Sequence, residues 1–171
     1  EWPQWRGPRG DGTWQGPAIK TSWPETGLKK LWEREIGGGY GGISVSHRKL
    51  YLMDRPVTSP EEQEKAQGIH GHRADRQDIE RVLCFNALTG KQLWSHSYPA
   101  VYDKLDYGNG PRCAPTVVNN RVYTLGTMGD VFCLDANTGD IIWKKQLVTD
   151  FGGKVPQWGY AAAPYLIGDL V

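Results

Sequence analysis

Residues 84–94 read CFNALTGKQLW, and residues 133–143 read CLDANTGDIIW. The second stretch begins 49 residues after the first, and both keep Cys, Ala, Thr, Gly and Trp in the same register. The same offset aligns residues 114–122 with residues 163–171. A fixed period of this length is typical of stacked repeat architectures, so the repeat guides the interpretation of every other motif.

Each repeat unit divides into four short β-rich runs separated by turn residues. Asn119-Asn120 is predicted to form a two-residue hairpin turn, because Asn tolerates the positive φ that such turns require. Four antiparallel strands within one 49-residue period indicate one blade of a β-propeller. In the best-preserved unit the four runs are residues 114–118, 121–126, 130–135 and 140–147.

An earlier copy of the unit is visible in pieces. Residues 55–80 interrupt it between the second and third strands, and residues 31–36 predict a lone outer strand. We therefore predict an all-β chain forming part of a β-propeller, with about two full four-stranded antiparallel blades and flanking strands. The chain is predicted to have an extended segment at 1–28 and a partial propeller at 29–171. The propeller begins with an outer strand at 31–36 and a blade at 43–97, which contains the insertion 55–80. A second blade at 114–147 and the start of the next blade at 162–171 follow.

The repeated Thr-Gly and Trp residues are predicted to be structural. Gly90 and Gly139 supply a turn conformation that a Cβ atom would penalise. Trp94 and Trp143 follow four residues later on the outermost strand, and Trp32 occupies the same place upstream. A large ring there can pack against the neighbouring blade, with its indole N–H in reach of the backbone.

The composition is that of a soluble globular protein and limits the classes of partner. Of 171 residues, 39% are hydrophobic and 23% are charged, and the net charge is +1. Without a basic run, nothing favours nucleic acid as a partner. No segment approaches the roughly 18 to 20 uninterrupted apolar residues of a membrane span, so we expect none.

The three cysteines are predicted to be buried thiols. They are odd in number and form no CxxC pair, which favours neither a disulfide framework nor a zinc site. Cys84 and Cys133 fall at equivalent third-strand positions of two sheets, which are about 10 Å apart. A disulfide tolerates Cα separations only up to roughly 7 Å. Cys113 begins an innermost strand and is predicted to be a buried thiol as well.

The repeated motif resembles the tryptophan-docking motif of propellers of the pyrroloquinoline quinone (PQQ) dehydrogenase type, Ala-x-Asp-x-x-Thr-Gly-x-x-x-Trp. Thr89-Gly90 with Trp94 matches it, as does Thr138-Gly139 with Trp143, although Cys replaces the leading Ala in both copies. The opening WPQWRGP at residues 2–8 is similar to the start of mature secreted bacterial PQQ-like repeat proteins. The resemblance covers nearly the whole chain outside residues 55–80, and it is specific for fold but weak for activity.

The resemblance implies two functions of different classes. The first, which the sequence favours, is a non-catalytic scaffold without a cofactor that binds a protein or small ligand and resides in the periplasm or outside the cell, its signal sequence removed. The alternative is a quinoprotein-type alcohol dehydrogenase-like oxidoreductase that uses PQQ and calcium, with active-site residues partly outside this chain. No catalytic constellation stands out in the sequence, which leaves the enzyme assignment open.

Two blades do not close a propeller, which typically has about four to eight blades. We therefore expect the chain to be the N-terminal portion of a longer propeller, and its partner to be the remaining blades or another protein. A protein complete in itself would expose two sheet faces and unpaired edges, and would require oligomerisation.

Candidate binding residues lie in the longest loops. In a propeller, the loops between blades and those between second and third strands emerge on one rim, so residues 37–42, 98–112 and 148–161 share a rim with the insertion 55–80. Long loops in compact domains are often functional. The polar and aromatic candidates on this rim are Tyr40, Tyr107, Asn109, Arg112, Trp158 and Tyr160, for which packing over the blade tops is the alternative.

The insertion contains one weak metal-binding pattern. Ser59-Pro60-Glu61-Glu62 predicts a helix start, and Gly68 ends the short helix 61–67. His70 and His72 could hold a metal ion together with nearby aspartates. A lone His-x-His in a charged loop is more often solvated, so we predict no metal site.

Overall fold

The structure is a computed structural model that describes residues 1–57, 76–103 and 105–171, with Arg76 and Gln77 described by their backbone alone. Its strands form two four-stranded antiparallel sheets. The first sheet contains β1 (Ser44–Ser46), β2 (Lys49–Asp54), β3 (Arg76–Asn86) and β4 (Gln92–Tyr102). The second contains β5 (Thr116–Val118), β6 (Arg121–Leu125), β7 (Asp130–Asp135) and β8 (Ile141–Gln146), and the short helix α1 (Leu147–Phe151) follows it.

Both sheets have the order of a propeller blade. Each strand pairs with the strand before it and the strand after it, so the spatial order is β1-β2-β3-β4 in one sheet and β5-β6-β7-β8 in the other. Register is also repeated, since Cys84 pairs with Trp94 and Cys133 with Trp143. The predicted partial β-propeller is confirmed.

Strands β3 and β4 are longer than the sequence predicted. Residues 76–80, assigned to the insertion, belong to β3, and residues 98–102, assigned to a loop, belong to β4. Ladder pairs such as Glu80 with Tyr98 extend the hairpin to Arg76 and Tyr102. Pro99 argued against a strand in the sequence, because proline has no N–H to donate to a ladder. It is tolerated in β4 because this is the outermost strand, where one side of the ladder needs no donor.

Residues 31–36 do not form the predicted outer strand. Their backbone is not assigned to any ladder in the described part of the chain. A strand exists only through hydrogen bonds to a neighbouring strand, and no neighbour is described there. Trp32 nevertheless donates from Nε1 to the carbonyl of Ala87 at 3.0 Å.

Two-residue turns connect the first and second strands of each unit. Asn119 and Asn120 both have positive φ, of 49° and 59°, as the hairpin required, which confirms that turn. His47 and Arg48 adopt the same conformation between β1 and β2. The two turns place the start of β2 and of β6 at equivalent positions, which keeps the units in register.

Two positions of the repeated motif have contacts that explain them. Oδ1 of Asp135 accepts from the backbone N–H groups of Asn137 and Thr138 at 2.7 and 3.1 Å. Oδ1 of Asn86 accepts from its own turn in the same way. Gly139 has φ 78°, and a Cβ atom there would lie 2.7 Å from the ring of Trp94. The turn is therefore restricted to glycine by conformation and by space.

Trp94 joins the two units. It is 8% exposed and donates from Nε1 to the carbonyl of Ala136, in the next unit, at 3.2 Å. The same contact occurs one unit earlier, where a Cβ atom on Gly90 would lie 2.7 Å from the ring of Trp32. Trp143 is half-buried, and no described backbone carbonyl accepts from its indole N–H.

A second repeated contact joins the inner strands. Oγ of Ser44 donates to the carbonyl of Pro115 at 2.5 Å, and Oγ1 of Thr116 donates to the carbonyl of Pro164 at 2.6 Å. Both hydroxyls are fully buried. The inner edges of successive units are thus tied by one hydroxyl each, while the outer edges are tied by one indole each.

The main hydrophobic core lies between the two sheets. Side chains of both sheets form one buried cluster, which includes Tyr51, Val82, Trp94, Val122 and Phe132. The N-terminal segment crosses the inner edge, since Trp2 pairs with Val45 and the carbonyl of Pro3 accepts from the N–H of Val117. Face-to-face packing therefore places the rims of the two units side by side.

We expect Trp94→Ala to lower the free energy of unfolding by about 3 to 5 kcal/mol, because it empties the space between the units. Trp143→Ala should cost no more than about 2 kcal/mol, since a half-buried ring returns less apolar surface to water. Urea unfolding of the two variants measures both losses. Equal losses would contradict the asymmetry between the two rings.

The three cysteines are fully buried and unpaired in the structure. Burial raises the pKa of Cys84 to about 11 and that of Cys113 to about 12, and it also raises the pKa of Cys133. Because the thiolate is the reactive form, each thiol is protected both sterically and electrostatically.

At pH 8 we expect iodoacetamide to leave all three thiols of the native protein largely unmodified, since a thiol of pKa 11 is only about 0.1% ionised there. Denaturant should expose three equivalents, counted by intact mass with and without reductant. Rapid alkylation of Cys84 or Cys113 in the native state, or thiols released only by reductant, would contradict this expectation.

Candidate functional site

The connections of the two sheets differ between the two rims. One rim carries the described residues 37–43, 105–115, 126–129 and 147–163, together with the end of β2 and the start of β3, and we call it the long-loop rim. Among the described residues, the strand connections on the opposite rim are the turns at 47–48, 87–91, 119–120 and 136–140. The long-loop rim is the one that presents candidate binding residues.

Three of the predicted rim residues meet in the structure. The rings of Tyr40 and Tyr107 lie 5.0 Å apart, and the guanidinium carbon of Arg112 lies 5.3 Å from the ring centre of Tyr40. This geometry matches a cation–π contact. Tyr40 and Arg112 each precede an inner strand by four residues, which puts them side by side on the rim. We call these three residues the rim cluster.

Arg112 is bound only by neutral groups. Its Nη2 donates to the carbonyl of Gly108 at 2.6 Å, and its Nη1 donates to the carbonyl of Gly110 and, at 3.4 Å, to Oγ1 of Thr127. No carboxylate of the described residues forms an ion pair with it. Burial lowers the pKa of Arg112, although the group remains charged at neutral pH.

A glycine-rich segment fixes the position of Tyr40. A Cβ atom on Gly37 would lie 1.9 Å from the carbonyl oxygen of Arg55, and one on Gly41 would lie 2.4 Å from that of Cys113. The backbone N–H of Tyr40 donates to the carbonyl of Pro111 at 2.8 Å. The segment passes between the two units at backbone contact distance, which only glycine allows.

A buried carboxylate supports the rim cluster from below. Glu80 is fully buried and accepts from the hydroxyls of Tyr98 and Tyr102 at 2.7 and 3.0 Å, and from the N–H of Thr127 at 3.2 Å. Burial, and then the Glu80 charge, raise the pKa of both tyrosines well above the ordinary value. Both phenols therefore stay protonated and donate to the carboxylate.

Two ion pairs lie where β2 and β3 approach the insertion. Arg81 donates from Nε and Nη2 to the buried carboxylate of Asp54 at 2.8 and 2.6 Å, a bidentate geometry. Asp54 also accepts from the N–H of Gly37 at 2.6 Å. Arg55 pairs with Asp78 at 2.8 Å where β2 and β3 leave the sheet. The base of the insertion is thus held by paired charges.

The remaining predicted site residues are placed differently. Asn109 is only 6% exposed, so its side chain is not part of the open rim surface. Trp158 is 64% exposed, and Tyr160 is half-buried, donating from its hydroxyl to the carbonyl of Lys154 at 3.0 Å. His70 and His72 lie outside the described residues. Among the residues that are described, no group of three His, Cys, Asp or Glu is placed to hold a metal ion.

The sequence did not identify the buried polar groups. Glu80 and Asp78 were assigned to the solvated insertion, although Glu80, Val82 and Cys84 alternate on one buried face of β3. That alternation of period two is the signal that would have placed Glu80 in a strand. Nothing local indicated its partners, which come from β4 and from the turn after β6.

Fold and rim together define a PQQ-like β-propeller repeat protein. A family model described as outer membrane protein assembly factor BamB matches residues 78–171, and the chain belongs to this family of PQQ-like repeat proteins. A search of curated proteins gives no match. No helix in the described part of the chain is long and apolar enough to cross a membrane.

Several solved structures are similar to the chain. They include BamB from Moraxella catarrhalis, at 14% identity and TM-score 0.36, which covers 63% of this chain and 24% of that one. Quinohemoprotein alcohol dehydrogenase from Comamonas testosteroni is similar at 16% identity and a TM-score of 0.43. The match covers 77% of this chain and 16% of that one. Quinohemoprotein alcohol dehydrogenase ADHIIG from Pseudomonas putida HK5 is similar at 23% identity and a TM-score of 0.38. The match covers 63% of this chain and 13% of that one. The chain spans less than a quarter of the length of each, and such likenesses say nothing about its activity.

We expect Glu80→Ala to lower the free energy of unfolding by about 3 kcal/mol, because two buried hydroxyls and one amide lose their acceptor. Glu33→Ala, at an exposed salt bridge with Lys30, is the control and should change it by less than about 0.5 kcal/mol. A double-mutant cycle with Tyr98→Phe should show coupling between Glu80 and Tyr98. Additive losses would contradict the network.

Proposed function

We propose that the protein is a non-catalytic PQQ-like propeller scaffold that binds a protein or small ligand through its long-loop rim. The observation that carries the proposal is the rim cluster. There the rings of Tyr40 and Tyr107 pack at a tilted angle beside a guanidinium that forms no ion pair with a carboxylate of the described residues. Tyr, Trp and Arg are the residues that most often dominate binding energy at protein interfaces. Tyr40 and Trp158 are 43% and 64% exposed, so both rings are open to a partner.

The contacts that hold Tyr40 and Arg112 in place favour a role in binding. Tyr40 is held by the glycine-rich segment, and Arg112 is held by carbonyl groups and by Thr127. A binding site whose side chains are already ordered loses less conformational entropy when the partner arrives.

We further propose that the tryptophans serve as docking residues between units. Trp32 and Trp94 make the same pair of contacts, an N–H bond to an alanine carbonyl and a ring over a glycine. Trp143, in the same register, is proposed to dock on a following unit. The propeller then acts as a rigid frame that holds the rim loops in fixed positions.

The family description supports a protein partner and a location in the cell envelope. The matching model is described as an outer membrane protein assembly factor, which is a role of association with other proteins. We therefore propose a protein as the partner, and the periplasm or the exterior of the cell as the location. No cofactor is needed for this function.

A quinoprotein oxidoreductase is the alternative function. Calcium prefers six to eight oxygen ligands, several of them carboxylates. The buried carboxylates near the rim, Asp54 and Glu80, have oxygens already bound to Arg81 and to tyrosine hydroxyls. The residues described here do not fit a calcium and quinone site, and we derive no catalytic step through one.

Site-specific photo-crosslinking tests the scaffold function. A benzophenone amino acid at Tyr40 should give a defined cross-linked protein in the cell envelope, identified by mass spectrometry and then confirmed by binding of the purified pair. The matched control is the same group at Leu88, which is 61% exposed on the opposite rim and should give none.

Titration with PQQ and calcium, read out by dye-linked alcohol oxidation, is the second arm. Turnover would establish the oxidoreductase instead. Equal cross-linking from Tyr40 and Leu88 would show that the long-loop rim is not the binding surface.

A further inference from the structure

We propose that Arg112 and Tyr40 form a subsite for a carboxylate that is attached to an aromatic or other apolar group. The proposal rests on the proposed function, because it names the chemistry that the long-loop rim recognises. It assigns to Arg112 the charged contact and to Tyr40 the flat wall against which the apolar part of the ligand packs.

The guanidinium of Arg112 has donors to spare. It carries five N–H bonds, and its acceptors are the carbonyls of Gly108 and Gly110 and the hydroxyl of Thr127. Neutral acceptors fix its orientation without neutralising its charge. Nε and one N–H of Nη2 have no acceptor among the described residues. Nε and Nη2 lie on the edge of the guanidinium that pairs with the two oxygens of a carboxylate in bidentate contacts.

The carboxylates near Arg112 are already engaged. Asp54 accepts from Arg81 and from the N–H of Gly37. Glu80 accepts from two tyrosine hydroxyls and from the N–H of Thr127, the residue whose hydroxyl contacts Arg112. Among the described residues, Arg112 therefore has no carboxylate in hydrogen-bonding contact, although burial disfavours its charged form and the charge of nearby Glu80 favours it.

The guanidinium of Arg112 lies near a glycine and near an aromatic ring. Gly159 lies beside the unused donor, with its Cβ position 3.5 Å from Nε, and Ala161 follows at the position equivalent to Arg112. Neither residue has a side chain long enough to bind the unused donor. The guanidinium carbon lies 5.3 Å from the ring centre of Tyr40, which is 43% exposed. Burial raises the pKa of Tyr40, so its hydroxyl adds no negative charge that would repel an anion.

A shielded guanidinium is a better anion site than an exposed one. Surface ion pairs are worth little because water screens them, whereas a partly buried and pre-oriented pair interacts more strongly. The ring of Tyr40 can pack against the apolar part of a ligand whose carboxylate binds Arg112. The ligand chemistry that fits is an aromatic carboxylate, or an acidic side chain beside an aromatic one in a peptide.

Benzoate is the probe for the shared chemistry, and benzamide, its neutral isostere, is the control. The ¹⁵N-edited signal of Arg112 Nε–H should shift saturably with benzoate, at a dissociation constant of about 1 to 10 mM for one such contact, and should not shift with benzamide. Arg112→Gln should weaken binding at least tenfold. Arg121→Gln, an exposed arginine on the opposite rim, should bind as the parent does.

If Arg112→Gln misfolds, its unfolding midpoint will fall below that of the parent, and a second variant then tests the subsite. Tyr40→Ala removes an exposed ring and should weaken benzoate binding severalfold while the fold stays intact. Binding that is unaffected by Arg112→Gln and Tyr40→Ala, or no saturable binding of any probe, would overturn the proposal.

Two peptides distinguish the source of the carboxylate. Acetyl-Phe-Asp-amide should bind at least tenfold more tightly than acetyl-Phe-Asn-amide, and the same variants should abolish the difference. Tighter binding of this peptide than of benzoate identifies a protein side chain as the ligand, whereas the reverse order identifies a free small carboxylate. Cross-linking at Tyr40 without any carboxylate binding would refute the subsite and leave the scaffold function standing.

Discussion

The contact between an indole and a glycine turn of the next unit fixes the spacing on which the rest of the molecule depends. Trp94 donates to Ala136 and covers Gly139, and Trp32 repeats both contacts one unit earlier. The ring occupies the volume that a Cβ atom would need, so the two units can approach to one distance only. A hydrogen bond adds direction to what would otherwise be a sliding apolar contact. Buried hydroxyls at Ser44 and Thr116 fix the inner edges in the same way.

The rim cluster follows from that spacing. Tyr40 and Arg112 occupy equivalent positions in successive units, so the distance between the units decides that a ring and a guanidinium meet at 5.3 Å. Glu80 then links the units at this height, since its partners Tyr98 and Tyr102 belong to one sheet and Thr127 to the turn of the other. The rim cluster is therefore held by the interface beneath it, although its residues lie in loops.

The sequence predicted what recurs with the repeat and missed what occurs once. Strand order and the place of Gly139 followed from local patterns that appear in two copies, and the Asn119-Asn120 turn followed from the residue type. The extension of β3 did not, because charged residues and Pro99 in the partner strand obscured the alternation. Contacts between distant residues, such as Glu80 with Thr127, leave no local pattern in one sequence. Asn109 was placed on the correct loop, but its burial depends on packing that a loop assignment does not contain.

The buried charges near the rim act on geometry more than on stability. Replacing a buried ion pair by well-packed apolar residues is often neutral or stabilising, so pairs such as Asp54 with Arg81 are weak evidence of a need for stability. Their effect here is directional, because Asp54 also holds the N–H of Gly37 at the start of the segment that carries Tyr40. Thr127 has the same double role, receiving Arg112 at its hydroxyl and donating from its backbone to Glu80. A ligand bound at Arg112 would thus contact the network that joins the two units, and it would add to their stability by mass action in proportion to its affinity.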